Sequence, residues 1–183
     1  MSVGARITEE FYRRDVLEVA PDLLGAVICH RVGSEVLRGR VTEVEAYRGQ
    51  EDTACHARAG LTRRTQPLYM AGGHAYVYLC YGIHRLFNVV TGGEGEPQAA
   101  LIRGLEGWPG PGRWTKAFSI SLDDNRADLA RSPDLWIESD GWTPPEIRTS
   151  PRVGIDYASP EDRERPWRFT AAGTAPPPPP GRP

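Results

Sequence analysis

The sequence predicts a single domain of mixed α+β class, in which short helices precede a longer series of β-strands. The chain has 183 residues, of which 39% are hydrophobic. This is enough for one apolar core and too little for two comfortable ones. Helix-type spacing is confined to short stretches, whereas strand-type alternation recurs from residue 26 onwards. We expect the domain to span residues 1–172 and the proline-rich residues 173–183 to form a disordered tail.

Two short helices are predicted before the first strand. Thr8 is suited to cap a helix over residues 9–14, because its hydroxyl can accept a hydrogen bond from a free N–H of the first turn. Residues 15–25 predict a second helix that breaks at Pro21 and ends at Gly25. We expect both helices to cover a sheet.

The first strands are predicted from the alternation of residue types. Residues 26–31 form one candidate, and residues 36–48 form a stronger one. The six odd-numbered positions from 37 to 47 include Glu43 and Glu45 among apolar and aromatic residues. In a regular strand these six side chains share one face.

A β-hairpin is predicted in the middle of the chain. Residues 74–80 and 85–90 are rich in strand-forming residues, and the segment from Tyr81 to Ile83 between them fits a turn. Residues 60–73 contain turn formers and arginines and are expected to form an exposed basic loop. Further strands are expected at 98–105, 134–138, 152–155 and 167–170, and a short helix at 114–120.

Charge and cysteine content exclude several classes of protein. The formal net charge is -2, so any contact with nucleic acid requires that positive charge be concentrated on one face. Lys116 is the only lysine, which excludes a choice among several Schiff-base lysines. Three separated cysteines encode neither a disulfide framework nor a zinc knuckle. No apolar run approaches the length of a membrane span. We expect a cytoplasmic protein without a membrane partner, associated with the nucleoid if bacterial.

Glu45 is the first candidate for catalysis. A carboxylate on an otherwise apolar or aromatic strand face must be satisfied by partners or be functional. Desolvation would raise its pKa towards the range in which it can accept a proton from water. The alternative is a buried ion pair with an arginine. Glu43, on the same predicted face, is expected to be a supporting or partly exposed group.

Four rings near Glu45 in the sequence are candidates for binding a planar ligand. Tyr47, His56, Tyr76 and Tyr78 combine an aromatic face for stacking with a polar tip that can fix the edge of the ligand. The alternative for each tyrosine is an ordinary core position, since tyrosine is common in strands. For His56 the alternative is a helix end or the surface.

Tyr81 is a candidate for insertion into a duplex. It lies beside Gly82 at the predicted hairpin turn, where a large ring has no core to enter. A ring inserted between base steps offsets the lost stacking, a few kcal/mol, when a nucleotide is extruded. The alternative is a packed aromatic residue at a strand end.

Asn88 and Arg103 are polar residues within predicted strands and need partners there. Arg103 is expected to share a strand face with Leu101 and Leu105. An amide in a pocket can discriminate between base edges, and an arginine can hold a phosphate or order an attacking water. Both are equally suited to a structural hydrogen-bond network.

A metal site is a weaker interpretation of the same segment. Glu45, Glu51, Asp52 and His56 supply possible ligands, but their spacing matches no common zinc motif, and the four histidines of the chain are scattered singly. We expect neither a metal nor another cofactor.

Seven segments in consistent order resemble the alkyladenine (3-methyladenine) DNA glycosylase family. They are VTEVEAYRG, CHARAG, YVYLCYGIH, FNVV, LIRGLEG, RVGIDYA and PWRF. The resemblance covers roughly residues 10–170. It implies an α+β domain with a curved, largely antiparallel sheet, short covering helices and a protruding, DNA-inserting hairpin around Tyr81.

The resemblance also implies an activity. Members of this family bind duplex DNA through the minor groove, flip a damaged purine into a pocket and hydrolyse its N-glycosidic bond, without a lyase step. It implies that Glu45 is the general base that activates the water. His56 and Arg103 would then order the site near that water and the adjacent phosphate. A monomer without cofactor is expected.

The resemblance assigns binding roles to the remaining candidates. It implies that Tyr47, His56 and Tyr78 form the walls between which an alkylated or deaminated purine stacks. Tyr81 would fill the gap left in the duplex, and Asn88 would reject guanine by its exocyclic amino group. A catalytically silent module that recognises distorted nucleic acid remains an alternative, which the effect of Glu45→Gln on base release distinguishes. A metal-dependent hydrolase that uses Glu45, Asp52 and His56 is a second alternative, which the response of the activity to a chelator distinguishes.

Overall fold

An antiparallel sheet of ten strands forms the frame of the protein in a computed structural model that describes residues 4–173. The strands are β1 (Ala5–Arg6), β2 (Val27–Val32), β3 (Glu35–Arg48), β4 (Ala75–Cys80), β5 (His84–Val90), β6 (Gln98–Leu105), β7 (Trp108–Pro109), β8 (Leu135–Ser139), β9 (Glu146–Ser150) and β10 (Arg168–Ala172). The helices are α1 (Glu9–Tyr12), α2 (Val16–Asp22), α3 (Pro111–Ala117) and α4 (Pro160–Glu164), with 3-10 turns at His56–Ala59, Gln66–Tyr69 and Leu122–Asp124.

The strand order is β1-β8-β2-β3-β6-β5-β4, with β10 joined to β3 and β9, and β7 joined to β6. This arrangement confirms the predicted single α+β domain with a largely antiparallel sheet. Apart from Gly173, the expected proline-rich tail lies outside the described residues. No helix among residues 4–173 is long and apolar enough to cross a membrane.

The main core lies between the sheet and the helices on one of its faces. Phe87 and Trp114 are fully buried there, with their ring centroids 5.5 Å apart in an edge-on arrangement. The Trp114 indole N–H also donates a 2.9 Å hydrogen bond to the Ile102 carbonyl, which attaches α3 to β6. Burial of large aromatic residues of this kind supplies much of the stability of a small domain.

The pairing of β3 with β6 contains two matched irregularities. The partners are Val41 with Leu105, Glu43 with Gly104, and Val44 with Ile102. One extra residue therefore lies in each strand, Thr42 in β3 and Arg103 in β6, as in a β-bulge. The bulge also separates Arg103 from Leu105, which lies in the main core. The prediction that these two residues share a face with Leu101 is wrong for Leu105.

The same bulge changes the faces of β3. Val41 and Val44 both lie in the main core, although a regular strand would point them in opposite directions. The prediction that the six odd-numbered positions from 37 to 47 share one face is therefore wrong. Leu37, Gly39 and Val41, before the bulge, face the main core, whereas Glu43, Glu45 and Tyr47 face away from it.

Some other elements differ from the expectations. Helix α2 continues through Pro21 to Asp22 instead of breaking at the proline, because the bond from the Leu23 N–H to the Val19 carbonyl forms beyond it. Helix α3 begins at Pro111, since a proline fits the first turn of a helix.

Two further segments differ in part from the prediction. Residues 60–73 are exposed only at 61–64, and Gln66–Tyr69 then forms a 3-10 turn with buried side chains. No strand forms at 152–155, because the N–H of Val153 bonds to a side chain instead of a neighbouring strand.

The hairpin of β4 and β5 agrees with the predicted one. The strands pair from Ala75–Val89 to Cys80–His84. Tyr81 and Gly82 have φ angles of 50° and 69°, and positive φ at both central residues is what a type I′ turn requires. The left-handed conformation of Tyr81 is unfavourable for a residue with a side chain, so the hairpin holds this residue in a strained position.

Candidate active site

Glu45 lies at the centre of the candidate site and is fully buried. The Tyr47 hydroxyl donates a hydrogen bond of 2.8 Å to its Oε2 atom, and the backbone N–H of Val153 donates one of 2.8 Å to Oε1. The carboxyl group thus receives one donor from its own strand and one from a segment 108 residues further along the chain.

Arg103 places a positive charge between two carboxyl groups. Its Nε atom donates to Glu43 Oε1 at 2.9 Å and lies 3.4 Å from Glu45 Oε1. Arg168 also donates from Nε to Glu43 Oε1, at 2.7 Å. Arg103 Nη1 also donates to Glu45 Oε2 at 3.5 Å. The ion pair considered as the alternative for Glu45 is therefore formed, although the shorter contact of Arg103 goes to Glu43.

Burial raises the pKa of Glu45 above its ordinary value, because a poorly solvated site disfavours the charged form. The charge of Arg103, the Val153 N–H and the Tyr47 hydroxyl oppose this rise, since each stabilises the carboxylate. A buried carboxyl group with this balance is suited to accept a proton from a bound water molecule.

An aromatic cleft of about 40 Å³ adjoins Tyr47. Its lining includes Tyr47, His56, Tyr76, Tyr78, Asn88 and Tyr157. The rings of His56 and Tyr78 are 4.6 Å apart between centroids, and His56 Nδ1 lies 3.0 Å from the Tyr76 hydroxyl. The lining side chains therefore lie close to one another.

The cleft is electrically neutral at pH 7. Burial, assisted by the charge of Arg64, lowers the pKa of His56 to about 4, so its imidazole carries no charge. Burial also raises the pKa of Tyr78, which keeps its hydroxyl protonated. The guanidinium of Arg64 lies at the edge of this region, 5.5 Å from the Tyr78 ring centroid. The cleft thus offers aromatic faces and neutral polar groups.

Asn88 is buried at the wall of the cleft, and its Nδ2 atom donates a 3.0 Å hydrogen bond to the Tyr76 carbonyl. This bond fixes the orientation of the amide. Tyr81, in contrast, lies outside the cleft at the hairpin turn and is 92% exposed. The resemblance assigns roles to seven residues. The structure brings six of them together, namely Glu45, Tyr47, His56, Tyr78, Asn88 and Arg103, and leaves Tyr81 apart from them.

The residues proposed as metal ligands do not converge. Both carboxylate oxygens of Asp52 bind the guanidinium of Arg152, His56 contacts Tyr76, and Glu51 is exposed. Within residues 4–173, no group of three or more histidine, cysteine, aspartate or glutamate side chains is placed to hold a metal ion.

The segment after β9 contributes groups to the site that the sequence did not reveal. Val153 donates its N–H to Glu45, and Tyr157 lines the cleft while its hydroxyl donates to the Ala54 carbonyl at 2.8 Å. A backbone donor leaves no signal in a sequence. The arginine that precedes it, Arg152, is fully buried, and an arginine in an apolar segment is the one available hint.

Comparison with known families identifies the family of this chain. The family model described as Methylpurine-DNA glycosylase (MPG) matches residues 10–108 and 106–175. These ranges include β3, the hairpin, β6 and the segment that donates to Glu45. The chain belongs to the methylpurine-DNA glycosylase family.

Individual relatives extend over nearly the whole chain. A protein of Anaeromyxobacter sp. (strain Fw109-5) named "Putative 3-methyladenine DNA glycosylase" is 44% identical over 178 residues, which cover 93% of this chain and 91% of the relative. Proteins with the same name from Nitrosococcus oceani and Methanocella arvoryzae are 44% and 40% identical, covering 87% and 89% of this chain and 86% and 90% of their own length.

Proposed function

We propose that this protein flips alkylated or deaminated purines out of duplex DNA and hydrolyses their N-glycosidic bonds with a water molecule that Glu45 activates. The observation that carries this proposal is a buried carboxyl group held by three partners next to a neutral aromatic cleft. Membership of the family makes the chain a DNA glycosylase of alkylated purines, a hydrolase that acts on N-glycosyl bonds in DNA repair.

The chemistry follows from the placement of Glu45. Its carboxylate takes a proton from water while the water oxygen attacks C1′ of the deoxyribose. The C1′–N bond breaks, and its electron pair goes to the departing base. An alkylated purine is already cationic and leaves as a neutral base, so little acid catalysis is required. Water as the nucleophile forms no covalent enzyme intermediate, which predicts no lyase step.

The composition of the cleft supports a preference for such bases. We propose that Tyr47, His56 and Tyr78, which line the cleft, stack on a flipped purine, and aromatic faces attract cations. Neutral His56 adds no repulsive charge to a cationic base. The fixed amide of Asn88 is suited to exclude the exocyclic amino group of normal guanine, since an unpaired buried polar group is costly.

The exposed hairpin supports a role in DNA binding. We infer that Tyr81 enters the duplex from the minor groove and fills the gap that a flipped nucleotide leaves. Arg58, Arg63 and Arg64, in the segment that passes the cleft, supply the local positive charge that a chain of net charge -2 needs. We propose that the protein acts as a monomer without a cofactor.

The experiment that tests this function is base release from duplexes that contain single alkylated or deaminated purines. We expect Glu45→Gln to lower the release rate by about 10²–10⁴-fold, the usual contribution of a general base, and to retain DNA binding. Glu138→Gln is a matched control, because Glu138 is also a buried carboxyl group, bound by Trp136 and Arg38 away from the cleft.

Three outcomes would contradict parts of the proposal. Release that persists in Glu45→Gln would exclude Glu45 as the base. Binding of damaged duplexes with no release of any base by the wild type would favour a silent binding module. Loss of release after treatment with a chelator, restored by added metal, would favour a metal-dependent hydrolase.

A further inference from the structure

We propose that Arg152 is a positioning residue for base excision. Together with Asp52, it fixes the two groups, the Tyr47 hydroxyl and the Val153 N–H, that donate hydrogen bonds to Glu45. The inference rests on the proposed role of Glu45 as the base.

The guanidinium of Arg152 is held through both of its Nη atoms. It forms a bidentate pair with Asp52, with distances of 2.6 Å from Nη1 to Oδ2 and 2.9 Å from Nη2 to Oδ1. Nη1 also donates to the Ala46 carbonyl at 2.9 Å, and Nη2 to the Asp162 carbonyl at 3.2 Å. The side chain is fully buried. A planar group with this many partners has little freedom to move.

The first link from Arg152 to Glu45 is the ring of Tyr47. The guanidinium carbon lies 4.8 Å from the Tyr47 ring centroid and 5.1 Å from that of Trp167. Both distances are within the range of a cation–π contact. The ring of Tyr47 therefore rests against a fixed cation, and its hydroxyl is aimed at Glu45 Oε2.

The second link is the peptide backbone. Arg152 and Val153 are consecutive, and consecutive Cα atoms are about 3.8 Å apart. Since Arg152 bonds the Ala46 carbonyl of β3 and Asp52 just beyond that strand, the N–H of Val153 is restrained relative to Glu45. No strand pairing holds residues 151–155 in place. The hydrogen bonds of the Arg152 side chain thus hold this segment against β3, as backbone hydrogen bonds between paired strands would.

The two links have a measurable effect on the reaction. Both donors stabilise the charged form of Glu45, so loosening them leaves the carboxyl group protonated at a higher pH. The acid limb of the pH profile of base release would then move to higher pH. A loss of folded protein alone would lower the rate at every pH and leave the limb where it is.

Arg40 offers a matched control within the same molecule. Its side chain is also fully buried, forms a bidentate pair with Asp140 at 3.0 and 2.7 Å, and lies 5.1 Å from the ring centroid of Trp142. Its surroundings therefore resemble those of Arg152, with the difference that its partners donate no hydrogen bond to Glu45.

The test compares Arg152→Lys with Arg40→Lys in single-turnover release of an alkylated purine from duplex DNA across a pH series, together with thermal unfolding. We expect both variants to unfold at lower temperature. Only Arg152→Lys should lower the rate per folded molecule, by up to about 10²-fold as for a small misplacement of a catalytic group, and shift the acid limb upwards.

The proposal is overturned if Arg152→Lys loses no more activity than Arg40→Lys, or if its rate falls with an unmoved acid limb. Should Arg152→Lys fail to fold, Asp52→Asn removes the charged partner of Arg152 at nearly constant volume. The quantity compared is then the rate per folded molecule alone, because loss of the Asp52 charge acts on the pKa of Glu45 in the opposite direction, and an unchanged rate overturns the proposal. A wild-type protein that releases no base at all would overturn the proposed function itself, and this inference with it.

Discussion

The two faces of β3 beyond its bulge bury their side chains by different means. Val44 and Ala46 enter the main core, where apolar contact alone accounts for their burial. Glu45 and Tyr47 on the opposite face require partners from distant segments, since an unpaired carboxyl group would be costly there. One face of β3 thus contributes to the stability of the domain and the other to the candidate active site. A substitution on the first face should affect mainly the free energy of unfolding, and one on the second mainly base release.

The largest effect is expected in the main core, which Val44 and Ala46 of β3 share with Phe87 of β5. Phe87→Ala should lower the free energy of unfolding by about 3–5 kcal/mol, because it removes a fully buried ring and leaves a cavity against Trp114. Denaturant unfolding measures this loss. Base release per folded molecule should stay within a few-fold of the wild type at low temperature. A large loss of release with little loss of stability would break the separation of the two faces.

Tyr81→Ser should affect activity alone, by an intermediate amount. The ring is exposed and packs against no core, so the unfolding free energy should change little. Release from duplex DNA should fall by about 10-fold or more, since one base–aromatic stack is worth about 1–3 kcal/mol. Single-stranded substrate is the control, because it has no gap to fill. Equal losses on both substrates would count against insertion.

The smallest effect concerns two histidines in contrasting surroundings. A hydrogen bond to Asp124 raises the pKa of His30, against the opposing effect of burial, whereas burial lowers the pKa of His56 to about 4. The stability that His30 contributes is present below its unfolded pKa of about 6.5 and is lost as pH rises through its folded pKa. The His56 contribution is present above about 6.5 and is lost as pH falls towards 4.

Stability measured between pH 4 and 8 in His30→Gln and His56→Gln checks these signs. We expect His30→Gln to be most destabilised, relative to the wild type, at the acid end. His56→Gln should lose less stability than the wild type as the pH falls below 6.5. The pH-dependent part should be on the order of 1 kcal/mol for each unit by which the folded and unfolded pKa values differ. If the unfolding free energies of the two variants change with pH by the same slope, the contrast between His30 and His56 is contradicted.

The local alternation of residue types was sufficient to predict much of the fold and part of the candidate site. Strand β6 was predicted with its observed bounds, and the burial of Glu45 followed from its place in a strand. The bulge could not be predicted from the sequence. An additional residue in a strand changes the direction of the side chains that follow it, but it does not change which types of residue the strand contains. The Val153 donor was equally hidden, since it depends on a contact across 108 residues and on a backbone atom that every residue but proline possesses.

The paired bulges have a consequence for how this chain tolerates insertions and deletions. Removing Thr42 would place Val41 and Val44 two positions apart, the regular spacing of one strand face, so Glu45 and Tyr47 would keep their side of the sheet. Removing Arg103 as well would restore a regular pairing with β6 but would delete the arginine that contacts Glu43 and Glu45. The bulge therefore allows β3 and β6 to carry Thr42 and Arg103 as additional residues without turning Glu45 into the main core.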